Sequence, residues 1–125
     1  MPVSRFPPRA LIVEDEIVIA LDLEAQMQAL GFNVFALASS ASQALEAARD
    51  TPPDVAIMDI YLNGTRDGIE AARQLHELYD TDVIFVTSYG DDPGVSERVE
   101  QQLPGAKVLS KPVYGQRLAD ALEAL

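Results

Sequence analysis

The chain has 125 residues, 48% of them apolar, no cysteine, and 20 acidic side chains against 9 basic ones, a net charge of −11. That length fits one soluble domain able to bury about two-thirds of the surface its unfolded chain exposes, and the apolar content excludes a disordered chain. The charge disfavours nucleic acid and anionic membrane, whose recognition rests on Lys and Arg, and favours cations and basic protein faces; the missing cysteines exclude disulfides and thiolate metal sites and agree with a cytoplasmic home.

Residues 1–8 carry Pro2, Pro7 and Pro8 without the apolar stretch of a secretory signal, and read as a flexible lead-in to one unit over 9–125. The first apolar run, Ala10 to Val13, is followed by Glu14-Asp15-Glu16 and then by helical periodicity over 16–30, with Ile19, Ala20, Leu23, Met27 and Leu30 on one face and Gly31 as a stop. Val34 to Leu37 forms the second run, and Ser40 with Gln43 has the pattern of a capping box before a helix over 41–50. Val55 to Met58 ends in Asp59, and Asp67 with Glu70 repeats the capping pattern before a helix over 68–79. Val83 to Val86 ends in Thr87-Ser88, and Asp92-Pro93 opens a helix over 93–102. The last run, Ala106 to Leu109, leads through Ser110 into Lys111-Pro112 and a helix over about 114–125, which aligns Leu118, Ala121, Leu122 and Leu125.

The runs do not alternate apolar with polar, so they suit strands covered on both faces. Strict alternation of strand and helix predicts an α/β, doubly wound (βα)5 domain with a five-stranded parallel sheet. Ligands of such sheets bind at the carboxyl ends of the strands, where the strand order reverses. The residues expected there are Glu14, Asp15, Asp59, Thr87 and Lys111. An acid after a strand is often only a cap, and a lone Thr or Lys is usually structural or solvated, so the combination carries the reading. Carboxylates held together repel one another, which raises their pKa values or demands a cation, and an all-oxygen set favours magnesium. Asp59 then has the surroundings of a carboxylate nucleophile toward phosphorus.

These residues resemble the receiver domain of bacterial two-component response regulators over Arg9 to Leu125. An acidic pair, Glu14-Asp15, is followed by the acceptor position Asp59, by Asp67-Gly68, by Thr87 and by Lys111-Pro112. The resemblance implies a strand order of 2-1-3-4-5 and a phosphoryl-accepting switch, with a sensor histidine kinase or histidine phosphotransfer protein as donor and a downstream protein as target. It implies no enzyme beyond phosphotransfer to, and hydrolysis from, its own aspartate. It also implies a Tyr61 main-chain carbonyl as magnesium ligand beside Glu14, Asp15 and Asp59, and a cis Lys111–Pro112 bond. Two positions depart from the pattern: Val108 stands where most receivers have an aromatic ring, and Tyr61 is large for a place beside the acceptor. The segment Phe85-Val86-Thr87-Ser88-Tyr89 partly matches a subfamily whose fourth strand reads Phe-Ala-Thr-Gly. Without a ring at Val108, the signal is expected to pass through Thr87 into Ser88, Tyr89 and Gly90.

A second apolar stripe on the first helix, Ile17, Val18, Leu21 and Ala25, leaves open a partner surface, shared with Pro112, or ordinary packing. Receivers similar to this chain dock kinases through that helix and the loop after strand five. His76 is expected to face solvent, as are Glu16, Glu24 and Glu46, and the chain is expected to be a monomer or weak dimer. The competing readings are a receiver-fold scaffold that is never phosphorylated and a magnesium-dependent phosphohydrolase, which commonly has a second acid where Tyr61 stands. A nucleotide or flavin site is disfavoured, because the turn after the first strand is acidic and not glycine-rich. A stand-alone regulator and a piece of a longer protein are both compatible with the sequence.

Overall fold

The structure, a computed structural model, describes residues 6–63, 67–88 and 92–125, and of Asp67 the backbone only. Five strands, β1 (Arg9–Val13), β2 (Asn33–Ala38), β3 (Val55–Met58), β4 (Asp82–Thr87) and β5 (Lys107–Ser110), alternate with five helices. These are α1 (Ile17–Ala29), α2 (Ala41–Asp50), α3 (Asp67–Tyr79), α4 (Pro93–Gln102) and α5 (Gly115–Glu123). The strands form one parallel sheet in the order β2-β1-β3-β4-β5, as expected.

The continuous apolar runs follow from burial on both sides of the sheet. Leu11, Val13, Ala56, Met58, Val83 and Phe85 face one layer, packed with Ala44, Ala48, Leu75 and Val99 from α2, α3 and α4. Their immediate neighbours Ala10, Ile12, Val55, Ile57, Ile84 and Val86 face the other, packed with Leu23 and Met27 of α1 and Leu118 and Leu122 of α5. Successive residues of a strand point to opposite faces, so apolar side chains at every position feed two cores at once. Each large side chain that is fully buried contributes about 1.5–3 kcal/mol. The edge strands β2 and β5 are only partly covered.

Register brings the strand ends level. Val13 lies beside Ala38 and Met58, Met58 beside Phe85, and Thr87 beside Ser110. The loops that follow therefore open on one edge, and the strand order reverses between β1 and β3.

Several local details differ from the sequence expectations. Leu30 is the C-cap of α1 and is 41% exposed, because the helix ends before it reaches the core. Gly31 ends α1 at φ +93, as its type predicts. Ser40 does accept from the Gln43 backbone N–H at 3.2 Å, but the Gln43 carboxamide oxygen reaches back one residue further, to the N–H of Ser39 at 2.9 Å. In α3 the Glu70 carboxylate accepts from Arg73 and Gln74 of its own helix; the Asp67 side chain, on which the expected cap rests, lies outside the described residues. Asp92 caps α4 by accepting from the Gly94 N–H at 2.9 Å. Glu24 is partly covered, whereas Glu16, Glu46 and His76 are exposed, and the His76 Nδ1–H donates to the Thr81 carbonyl at 3.0 Å. Among the described residues no helix is long and apolar enough to cross a membrane.

Candidate functional site

Thr87 ends β4, and Glu14, Asp59 and Lys111 sit one step past β1, β3 and β5, where the backbone ladder still holds them. The Glu14 N–H donates to the Ala38 carbonyl, the Asp59 N–H to Val13 and the Lys111 N–H to Thr87, each at 2.9 Å. Main-chain bonds of this kind fix three side chains from separate loops at one edge of the sheet.

Glu14 is 3% exposed and Asp59 7%, while Asp15 is exposed. Single carboxylate oxygens of Glu14, Asp15 and Asp59 all lie within 4.8 Å of one another. The Lys111 ammonium reaches between two of them, donating to Glu14 Oε1 at 2.7 Å and Asp59 Oδ2 at 2.8 Å. Asp59 Oδ1 also accepts from the Tyr61 N–H at 3.2 Å. Burial pushes the Glu14 carboxyl up to about 7, against the Lys111 hydrogen bond, and neighbouring Asp59 pushes it the same way. Burial opposes the charge on Lys111, but its hydrogen bonds to Asp59 and Glu14 outweigh this and hold its pKa above the usual lysine range.

Three carboxylates face one ammonium, an excess of two negative charges when all are ionised. With oxygen donors throughout, this set fits a hard divalent cation. A cavity of about 190 Å³ opens beside it, lined by Asp15, Glu16, Asp59, Tyr61, Thr87, Ser88 and Lys111. Thr87 is fully buried at its wall and Ser88 is exposed at its rim.

A glycine sets the depth of this edge. The Gly68 N–H, in the first turn of α3, donates to the Ile60 carbonyl at 3.0 Å. A Cβ on Gly68 would stand 2.0 Å from the Asp59 carbonyl oxygen, so the helix approaches the Asp59 loop as only glycine permits.

The structure thus brings together Glu14, Asp15, Asp59, Tyr61, Thr87, Ser88 and Lys111. The Lys111–Pro112 bond is cis, as the resemblance implied. Val108 pairs with Phe85 across β4 and β5 and is half-buried against the α2–α3–α4 layer. Tyr89 and Gly90, named as relay positions, lie outside the described residues. The second stripe of α1 is a surface and not packing: Ile17 is 61% exposed, Val18 76% and Leu21 50%, with Ala25 also exposed. A groove of about 560 Å³ joins it, through Val18, Ile19 and Asp22, to Pro112 and Val113.

Sequence reasoning passed over three contacts. Asn63 donates its backbone N–H to Asp15 Oδ2 at 3.0 Å, and its carboxamide to the Ser39 carbonyl at 3.2 Å. The signal was the Asn63-Gly64 dipeptide, a turn mark next to the acceptor. The bond between Glu14 and Lys111 had no signal, since the two lie 97 residues apart.

A doubly wound sheet with an acidic cluster and one lysine at its switch point defines a signalling receiver. The chain belongs to the response regulator receiver domain family of two-component systems, whose family model it matches over residues 10–123. It is 33% identical over 124 residues to the phyllosphere-induced regulator PhyR of Methylorubrum extorquens, covering 91% of this chain and 46% of that protein. To the transcriptional regulatory protein LiaR of Bacillus subtilis it is 34% identical over 119 residues, covering 93% and 54%. The chain therefore spans about half the length of these relatives. Among solved structures it is similar to the signal receiver domain of a modulated diguanylate cyclase from Desulfovibrio desulfuricans G20, with TM-score 0.82, 34% identity and coverage of 94% and 91%. It is also similar to the PhyR receiver domain of Erythrobacter litoralis, with TM-score 0.81, 27% identity and coverage of 94% and 88%.

Proposed function

We propose that this chain is a phosphoryl-accepting switch, in which Asp59 takes a phosphoryl group, with Mg2+ present, from a phosphohistidine on a sensor kinase or histidine phosphotransfer protein. The observation that carries this reading is the meeting of Asp59 with the Lys111 ammonium, 2.8 Å away, in a cavity that Thr87 and Asp15 also line. An Asp59 carboxylate oxygen attacks phosphorus, the phosphorus–nitrogen bond breaks with its electron pair returning to the imidazole, and an acyl phosphate remains. Lys111 exchanges its bond to Asp59 for one to a phosphoryl oxygen, and Thr87 offers its hydroxyl to another. The Tyr61 N–H holds the oxygen of Asp59 that it already bonds.

Glu14 (through water), Asp15, Asp59 and the Tyr61 carbonyl would hold Mg2+, which would supply neutralisation of the equatorial phosphoryl oxygens. The Tyr61 ring beside the acceptor hinders attacking water and lengthens the life of the phosphorylated form. The signal leaves through Thr87 into Ser88, Tyr89 and Gly90, because Val108 has no ring to turn. The exposed Ile17, Val18, Leu21 and Ala25 face, together with Pro112, receives the kinase or phosphotransfer protein. The setting is cytoplasmic, and the output is a contact with a downstream protein.

Incubation with acetyl phosphate and Mg2+ followed by intact mass measurement tests the assignment. One phosphoryl mass is expected in the unmodified chain and none in Asp59→Asn; equal labelling in that variant would overturn it.

A further inference from the structure

Asn63 is the one described residue outside the predicted site that bonds a member of the acidic cluster from a different loop while holding a third loop in place. It follows β3 in the chain, its backbone N–H donates to Asp15 Oδ2 after β1, and its carboxamide donates to the Ser39 carbonyl after β2. Its φ is +54, the left-handed region that Asn and Gly adopt readily and β-branched residues do not. That conformation aims the N–H at Asp15, and the Ser39 bond anchors the residue in it.

The need for such a device is visible in the cluster. Glu14 and Asp59 are each held by Lys111 and by near-complete burial. Asp15 is exposed and has no lysine contact among the hydrogen bonds described. A short exposed carboxylate samples several rotamers, and a ligand that must be ordered at binding weakens a cation site.

We propose that Asn63 is a positioning residue: by its left-handed backbone it fixes the Asp15 carboxylate, so that the acidic cluster meets a divalent cation already assembled. This rests on the reading of the site as a Mg2+-dependent receiver, but is tested on cation binding without phosphorylation. The carboxamide bond to Ser39 serves the backbone geometry and touches neither the cation nor the phosphoryl group.

The experiment is a titration of the full chain with MgCl2, followed by amide chemical shifts around Asp15 and Asp59, in the unmodified chain, Asn63→Gly and Asn63→Val. Glycine keeps access to φ +54 and should bind Mg2+ within about twofold of the unmodified chain. Valine strains that conformation and should weaken binding by about five- to tenfold. Asn63→Ala serves the same purpose should the metal-free spectrum show that the valine variant does not fold. Binding in the valine or alanine variant within twofold of the unmodified chain would overturn the proposal, as would an equal loss in glycine and valine. If the unmodified chain binds no Mg2+, the receiver reading of the site fails first, and the role of Asn63 toward a cation falls with it.

Discussion

Replacing Gly68 by alanine tests whether the close approach of α3 to the acceptor loop holds the site in shape. The added Cβ would lie 2.0 Å from the Asp59 carbonyl oxygen and 2.8 Å from both the Cα and the carbonyl oxygen of Ile60. Carbon and oxygen normally approach no closer than about 3.3 Å, so relief needs a shift of more than about 1 Å. The atoms in the way are backbone, not the end of a flexible side chain. Overpacking of this kind costs about 1–3 kcal/mol, while alanine gains about 1 kcal/mol over glycine in helix propensity. The net, a loss of up to about 2 kcal/mol, lowers the melting temperature by up to roughly 10 °C for a domain of this size. The greater effect falls on chemistry: moving Asp59 by about 1 Å from its 2.8 Å contact with Lys111 costs on the order of a hundredfold in phosphorylation rate. Thermal melts and intact-mass time courses with acetyl phosphate read both quantities. A raised melting temperature with an unchanged rate would show that glycine at this position is incidental.

Three other outcomes follow from the charges. Lys111→Ala leaves Glu14 and Asp59 buried against each other and should destabilise the metal-free chain by about 3 kcal/mol at pH 8, and by less at pH 5, in urea melts. Glu14 holds its proton up to about pH 7 when folded, whereas an ordinary glutamate releases it near 4.5. In that window the folded chain binds more protons than the unfolded one, so stability in chelator should fall by on the order of 1–3 kcal/mol as pH rises from 4.5 through 7. Glu14→Gln should flatten the profile, and an unchanged slope would remove Glu14 as its source. Mg2+ at ten times its dissociation constant should add about 1.4 kcal/mol of stability, and the same concentration should add much less to Asp15→Asn; equal stabilisation of both would place the cation elsewhere.

The order of elements was legible because both faces of the sheet are covered, so each buried strand prints an unbroken apolar run. The same property hid which layer a residue joins: Leu11 and Ile12 look alike in sequence and feed different cores. The candidate site was legible as residue types at strand ends, since Asp59, Thr87 and Lys111 stand where β3, β4 and β5 finish. Burial was not. Glu14 and Asp15 are adjacent acids, yet only Glu14 continues the ladder and turns inward, while Asp15 is exposed and held from Asn63. Gly68 was visible as part of a motif, but its distance from the Asp59 backbone arises from tertiary packing of α3. At Ser39 and Ser40, two identical residues share one cap between them, and no local pattern tells which donates and which accepts.

The sheet that separates the two cores also separates what each side is free to change. The α1 and α5 layer carries the exposed apolar stripe and the groove to Pro112, whereas α3 on the opposite layer supplies Gly68 against the acceptor loop. Substitutions in different layers share few partners, and effects of such independent sites add to within about 0.3–0.5 kcal/mol. The exposed surface of α1 can therefore change in sequence without re-optimising the packing beneath α2, α3 and α4. On the proposed reading, recognition on α1 and phosphoryl chemistry at Asp59 differ in the packing beneath them and meet at Glu16, Ser88 and Lys111, which line both the groove and the cavity.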